Sequence, residues 1–324
     1  MCTREELQAM IEKYISELPL QRRPQELYDP VRYTMEEGGK RLRPVLLLMV
    51  ADAYGGNPGR ALPLAAAVEV FHNFTLLHDD IMDNSDVRRG KSSVHRKWGR
   101  NAAILSGDAM VIFAYHLLEG CDPALLPSLL PDFNNMALQV CEGQQFDMNF
   151  ESRDDVTLDE YKDMIRLKTA VIFAVSAKLG GMVAGAPAED CETLYRYGLE
   201  LGMAFQIQDD YLDTYGNAEV LGKAVGDDIA ESKKTFLAIN ALNEAGAATR
   251  RAILSTFADE KLPLPHKINR IKTIYDSLDI PEITRDIVAA HLDTASGLLG
   301  SLSVGAEKTV RLHEIISIFA NRNK

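Results

Sequence analysis

The segment ALPLAAAVEVFHNFTLLHDDIMD, residues 61–83, is apolar on nearly every side and then ends in three aspartates. Apolar residues all round mark a helix enclosed by other helices rather than one lying on a surface. A membrane span is the competing reading. It fails because Glu69, His72 and Asn73 break the run short of the roughly 20 apolar residues a bilayer needs. The same design returns at NAAILSGDAMVIFAYHLLEG (101–120), interrupted by Ser106, Gly107 and Asp108. It returns again at CETLYRYGLELGMAFQIQDDYLD (191–213), where a second apolar helix runs into aspartates. A fourth long segment, TLDEYKDMIRLKTAVIFAVSAKLGG (157–181), opens with Thr157 and Glu160 spaced as a capping box and closes at Gly180 and Gly181. At the N-terminus Leu7, Met10, Ile11, Tyr14, Ile15 and Leu18 recur at helical spacing, with Thr3 and Glu6 as the cap and Pro19 as the stop. Alternating β-branched runs are few and no Ser/Gly-rich linker divides the chain. The expectation is therefore an all-α protein forming a single domain over residues 1–324.

Composition narrows the function classes. With 324 residues, 46% hydrophobic and 25% charged, the chain can bury a large core as a soluble globular protein. A formal net charge of -12 opposes nucleic-acid binding, which depends on neutralising phosphates with a basic face. Cys2, Cys121, Cys141 and Cys191 are dispersed without a C-x-x-C pair, which argues against a disulfide framework or a cysteine zinc site and fits a reducing cytoplasm. No basic-then-apolar leader opens the sequence.

The aspartates pose the chemical question. On one helix Asp79 and Asp83 are four residues apart on a single face, with Asp80 beside them. Two carboxylates about 4 Å apart repel by about 4 kcal/mol in a partly screened site, so a cation belongs there. Hard oxygen ligands at this spacing suit Mg²⁺, which takes one or two protein carboxylates and completes its shell with water and substrate phosphate. For DDIMD alone, a helix end dissolving in water explains the charge equally well. The second copy, DDYLD (Asp209, Asp210, Asp213), shifts the balance, because each copy follows a segment that must be buried. Cations complete the pattern: Arg88 and Arg89 follow the first cluster, Lys168 projects from an apolar helix, and Lys223, Lys233 and Lys234 follow the second. Such a set suits phosphate or diphosphate. GGKRLRPVLLL (38–48) places Lys40, Arg41 and Arg43 before another apolar helix. Basic residues at a helix start are unfavourable unless an anion compensates them, which suggests a second diphosphate pocket.

Together these motifs resemble the trans-type, head-to-tail isoprenyl diphosphate synthases, which include farnesyl and geranylgeranyl diphosphate synthases. The resemblance runs through GGKRLRP, HNFTLLHDDIMDNSDVRRGK, LSGDAM (105–110), KT (168–169), FQIQDDYLD (205–213), GKAVGDD (222–228) and KKT (233–235), in order, over about two thirds of the chain. It implies a helical bundle around a deep central cavity, assembled as a homodimer and using three Mg²⁺ ions. By the resemblance Asp79 and Asp83 bind two of these ions with Asp80 in support, Asp209 binds the third, and Asp213 stands behind it. Arg88, Lys168, Lys223 and Lys233 would hold the allylic diphosphate. Lys40, Arg43, His72 and Arg89 would hold isopentenyl diphosphate, and Thr169 and Gln206 would line the point where positive charge develops. The departing pyrophosphate would itself take up the proton. Chain length would be set by Phe74 and Thr75, with Phe71 one turn deeper, implying a geranylgeranyl or farnesyl product.

Other readings stand beside these. His72 could be a satisfied core histidine, His78 a packing residue, and Asp108 a structural hydrogen-bond acceptor within a buried helix. A class I terpene cyclase also uses DDxxD with Mg²⁺, but pairs it with an Asn/Ser/Glu motif where this chain has DDYLD. A noncatalytic subunit of a heteromeric synthase would lack some of these aspartates or arginines, and none is missing here.

Overall fold

The computed structural model describes residues 2–216, 225–259 and 261–321, and it is all-α apart from one small hairpin. Backbone contacts divide the chain into two compact units that share it in alternation: Met1–Asn134, Val175–Tyr195 and Leu298–Ile315 form the first, and Asn135–Ala174, Arg196–Gly297 and Ile316–Lys324 the second.

In the first unit α1 (Arg4–Ser16) starts where expected, with Thr3 and Glu6 capping each other's backbone N–H groups, and buries Leu7, Ile11 and Ile15. Helix α2 (Gln25–Glu36) leads through a glycine turn into α3 (Leu42–Ala53), whose residues are almost all buried. Helix α4 (Pro58–Met82) begins with Asn57 accepting from Gly59 N–H and Pro58 at its first position, and it extends for about 37 Å at the helical rise. Its core stretch Leu64–Asn73 is buried throughout, as the all-round apolar pattern requires. The small residues Ala65, Ala66 and Ala67 within it are fully buried.

Helix α6 (Arg100–Leu118), which follows the short α5 (Val94–Trp98), packs against α4 through Ala103, Gly107, Met110 and Ala114. It departs from the sequence expectation. Ile104, Leu105 and Ile112 are exposed at 42%, 58% and 71%, so this chain alone does not enclose α6. Asp108 is likewise more than half exposed and is no acceptor within a buried helix; the all-round apolar pattern misplaced it. By length and composition α6 could also cross a membrane, yet its buried face is committed to α4.

Helix α7 (Leu126–Phe150) passes from the first unit into the second. There α8 (Leu158–Ile165) is capped by Thr157 and Glu160 as anticipated, and continues into a π-helical turn, Arg166–Ala170, before α9 (Val171–Val183). Glycines grip this turn from both sides: a Cβ on Gly143 of α7 would lie 2.3 Å from Lys168 N. One on Gly202 of α10 (Ala188–Tyr215) would lie 2.4 Å from Ala170 Cα. Only the absence of side chains lets three backbones meet here. Phe173, Phe205 and Phe319 form an aromatic core with ring centroids 5.3–5.7 Å apart. A short turn of helix at Asp227–Ala230 and the helices Phe236–Glu244, Ala247–Phe257, Leu264–Ser277, Ile280–Leu299 and Ala306–Ala320 complete the described chain.

Candidate active site

In the first unit the aspartates lie at the C-terminal end of α4, where the helix dipole is itself negative. Asp83 caps the helix, its N–H bonded to the Asp79 carbonyl at 2.8 Å. Dipole and carboxylates together demand a cation, and the chain supplies one. Residues Val87–Arg88 and Lys91–Ser92 pair as a two-stranded hairpin, β1 and β2, around Arg89 and Gly90, whose φ angles of 51° and 77° define a tight turn of left-handed residues. The hairpin folds Arg88 back, so that its Nε donates to Asp80 Oδ1 at 2.8 Å with Nη2 on the same oxygen. The guanidinium stays 3.7 Å from Asp79 Oδ2. Asp80 is 3% exposed; burial raises its pKa, and Arg88 opposes that shift. Asp79 and Asp83 keep partial exposure. The acidic end thus divides into one buried carboxylate held by Arg88 and two that keep partial exposure.

The basic residues Lys40, Arg43 and Arg89 belong to the same unit. Arg89 lays its guanidinium against Gly39, where a Cβ would come within 3.3 Å, and donates to the Gly38 carbonyl. Lys40 is exposed, while Arg43 is buried with Nη1 3.0 Å from His72 Nε2. Burial, with the nearby Arg43, Arg89 and Arg88 charges, holds the His72 pKa well below its ordinary value. A neutral ring can therefore accept from Arg43. Below the aspartates Phe71, Phe74 and His78 stack in steps of 5.3 and 4.9 Å. Thr75 spends its hydroxyl on the His72 carbonyl. His78 does pack, seated on Gly107, where a Cβ would lie 2.1 Å from Nε2.

In the second unit DDYLD lies within α10, two residues before its end. Asp210 is buried and accepts three hydrogen bonds: from the Tyr161 hydroxyl, from Phe236 N–H at 2.9 Å and from Gln206 Nε2 at 3.0 Å. Burial raises its pKa, and these donors oppose the rise. Gln206 in turn accepts from Thr169 Oγ1 at 2.9 Å, so the π turn is wired directly to the aspartates. Lys168, from the same turn, reaches Asp147 Oδ2 at 2.6 Å. Asp213 is fully buried; its carboxylate accepts from Asp228 N–H and its carbonyl from Gly226 N–H, anchoring the segment that leads to Lys233. Asp209 is partly exposed. Lys233 lies 3.0 Å from Glu231, and Lys234 pairs with Asp154. Lys223 lies outside the described residues.

Tyr161, Asp147 and Phe236 belong to these networks and were not singled out from sequence. A buried tyrosine at core spacing carries no mark of its hydroxyl's partner, and Asp147 resembles any exposed acid on α7. Among the described residues no three His, Cys, Asp or Glu side chains converge to enclose a metal.

A family profile described as polyprenyl synthetase matches residues 24–277. A geranylgeranyl diphosphate synthase of Methanosarcina mazei is 44% identical over 306 residues, 93% of this chain and 92% of that protein. One from Saccharolobus solfataricus is 45% identical over 264 residues, covering 79% and 80%. A solved geranylgeranyl pyrophosphate synthase superimposes with a TM-score of 0.94 at 40% identity, over 100% of both chains. With the family profile covering most of its length and such relatives over nearly all of it, the chain belongs to the polyprenyl synthetase family.

Proposed function

We propose that the protein is a short-chain isoprenyl diphosphate synthase, joining isopentenyl diphosphate to an allylic diphosphate with geranylgeranyl diphosphate as the main product. The observation that carries this reading is shared by both DDxxD segments: the middle aspartate is buried and held by protein donors, while the first aspartate of each, with Asp83, keeps partial solvent exposure. The donor set fits Mg²⁺: hard oxygens, spaced i and i+4 for Asp79 and Asp83, with no closed protein cage among the described residues. Asp79 and Asp83 would hold two ions and Asp209 a third, and the bound ions would neutralise leaving-group charge on the diphosphate.

The chain's own residues do the remainder. Arg88, Lys168, Lys223 and Lys233 draw the allylic diphosphate into place, Arg88 and Lys168 from positions held by Asp80 and Asp147. Thr169 and Gln206, hydrogen-bonded to each other, would line the point where positive charge develops. Lys40, Arg43, His72 and Arg89 orient isopentenyl diphosphate, with neutral His72 accepting from Arg43 at one ring nitrogen and donating from the other. Apolar side chains keep water from the cation until the isopentenyl double bond attacks. The proton then released goes to the departed pyrophosphate, so no protein base is assigned.

Phe74, braced by Phe71 and His78, supports a floor for the growing chain. The exposed apolar residues of α6 support a homodimer, since a second copy would cover Ile104, Leu105 and Ile112. Four free cysteines fit a reducing cytoplasm. The decisive experiment is Mg²⁺-dependent incorporation of labelled isopentenyl diphosphate with dimethylallyl, geranyl and farnesyl diphosphates. Product masses at twenty carbons support the proposal, and absence of incorporation with every acceptor refutes it. Phe74→Ala should lengthen the product; an unchanged mass distribution removes Phe74 from the floor.

A further inference from the structure

The motif GGKRLRP contains three basic residues, and the structure treats one of them unlike the others. Arg41 is 6% exposed, with Nη1 2.7 Å from Glu69 Oε1 and Nη2 2.6 Å from the Met35 carbonyl. Glu69 is 2% exposed, and its Oε1 also accepts from Asn73 Nδ2 at 3.0 Å. The guanidinium charge is therefore spent inside the first unit. Arg41 also stands in the left-handed region, at φ 45° and ψ 38°, immediately before α3 and after Gly38 and Gly39 at φ 74° and 134°. A left-handed conformation is unfavourable for a non-glycine residue, and no side chain caps α3. The conformation persists only where contacts compel it.

We infer that Arg41 and Glu69 form a buried strut that fixes the left-handed turn at residues 38–41 and so places Lys40 and Arg43, making Arg41 a positioning residue for the isopentenyl diphosphate pocket and not a ligand of the diphosphate. This inference rests on the function proposed above. The strut joins the last turn of α2, through Met35, to the middle of α4, through Glu69, at the point where α3 begins. Glu69 and His72 lie three apart on α4, so the strut and the Arg43 partner share one helix face. Arg89 holds the same turn from outside through the Gly38 carbonyl. Without the strut only the Arg89 bond to Gly38 still holds the turn, Arg41 itself is no longer tied in its left-handed conformation, and the residues on either side of it lose their fixed directions.

The test uses Arg41→Met/Glu69→Met, because a buried ion pair replaced on both sides by apolar groups of similar size often keeps its stability. Glu69→Gln, which keeps an acceptor for Arg41 and Asn73, serves as the conservative variant. The strut predicts that the double variant folds but raises KM for isopentenyl diphosphate about tenfold or more, with KM for the allylic substrate unchanged and partial recovery in Glu69→Gln. Metal-free titration with inorganic pyrophosphate should weaken by a similar factor, and this readout needs no turnover. Wild-type-like KM and pyrophosphate binding in a folded double variant would overturn the inference. So would both KM values moving together with a loss of thermal stability, which marks a structural pair only. An inactive wild type that nonetheless loses pyrophosphate binding on substitution would count against the proposed reaction and not against the strut.

Discussion

The DDIMD and DDYLD segments share a spacing and differ in where their helices stop. Helix α4 ends at Met82, so Asp83 is its cap and stays partly exposed. Helix α10 runs on to Tyr215, so Asp213 is still inside the helix, fully buried, and tied to the backbone further along the chain through Asp228 N–H. The middle aspartates are alike in being buried, but Asp80 is held by a charge, Arg88, and Asp210 by neutral donors. One motif therefore presents two outward carboxylates and the other presents one. The lesson is that an i, i+4 pair of acids keeps both members partly exposed only where the helix ends beside it.

The comparison can be broken most sharply at the outward aspartates. Asp79→Asn and Asp209→Asn should each reduce kcat by about 10²–10³-fold with the fold retained, since each removes charge where leaving-group charge must be offset. Steady-state incorporation of labelled isopentenyl diphosphate, with circular dichroism as the control, measures this.

The third positions should separate next. Asp83→Asn is expected to raise the Mg²⁺ concentration needed for half-maximal rate and to leave thermal stability near wild type. Asp213→Asn should instead cost about 1–3 kcal/mol of stability, the usual penalty for disturbing a buried hydrogen-bonded acceptor, with the Mg²⁺ requirement unchanged. A metal titration and a denaturant melt on both variants decide it, and identical behaviour of the two would erase the distinction.

The surroundings of the second segment can be probed through the π turn. Gly143→Ala forces a methyl group against Lys168 N and should cost about 1–3 kcal/mol by overpacking, together with a raised KM for the allylic substrate. Denaturant melts and allylic-substrate saturation curves on the one variant measure both effects.

The first segment carries a pH signature. The His72 pKa lies lower in the folded chain than in the unfolded one, so the unfolded chain takes up the proton first and stability falls as pH drops below the ordinary histidine range. The loss is about 1.4 kcal/mol per pH unit below about 6.5, until the folded-state pKa is reached. His72→Gln should flatten that slope in melting temperatures measured from neutral to mildly acidic pH. The smallest effect belongs to Thr157→Ala, which uncaps the helix carrying Tyr161 and should cost about 1 kcal/mol by thermal melt.

Several elements were legible from residues alone, because their causes are local. The capping boxes at Thr3 and Thr157 need only a hydroxyl and a glutamate three residues on, and both formed. The enclosure of α4 followed from apolar side chains on every face. The same reasoning failed for α6, where an equally apolar helix leaves Ile112 71% exposed, because an apolar pattern does not say which of its faces the rest of the chain reaches.

The sequence by itself determined that the long apolar segments are helical, the capped starts of α1 and α8, and the acidic or basic character of the segments beside them, since these depend on neighbours a few residues away. Tertiary structure decided which carboxylates remain outward. It took Arg88 to occupy Asp80, Tyr161 to occupy Asp210 and Arg41 to be absorbed by Glu69, pairings made across 8, 49 and 28 residues of chain. A buried charge must find a partner wherever the fold supplies one, and no local pattern names that partner in advance.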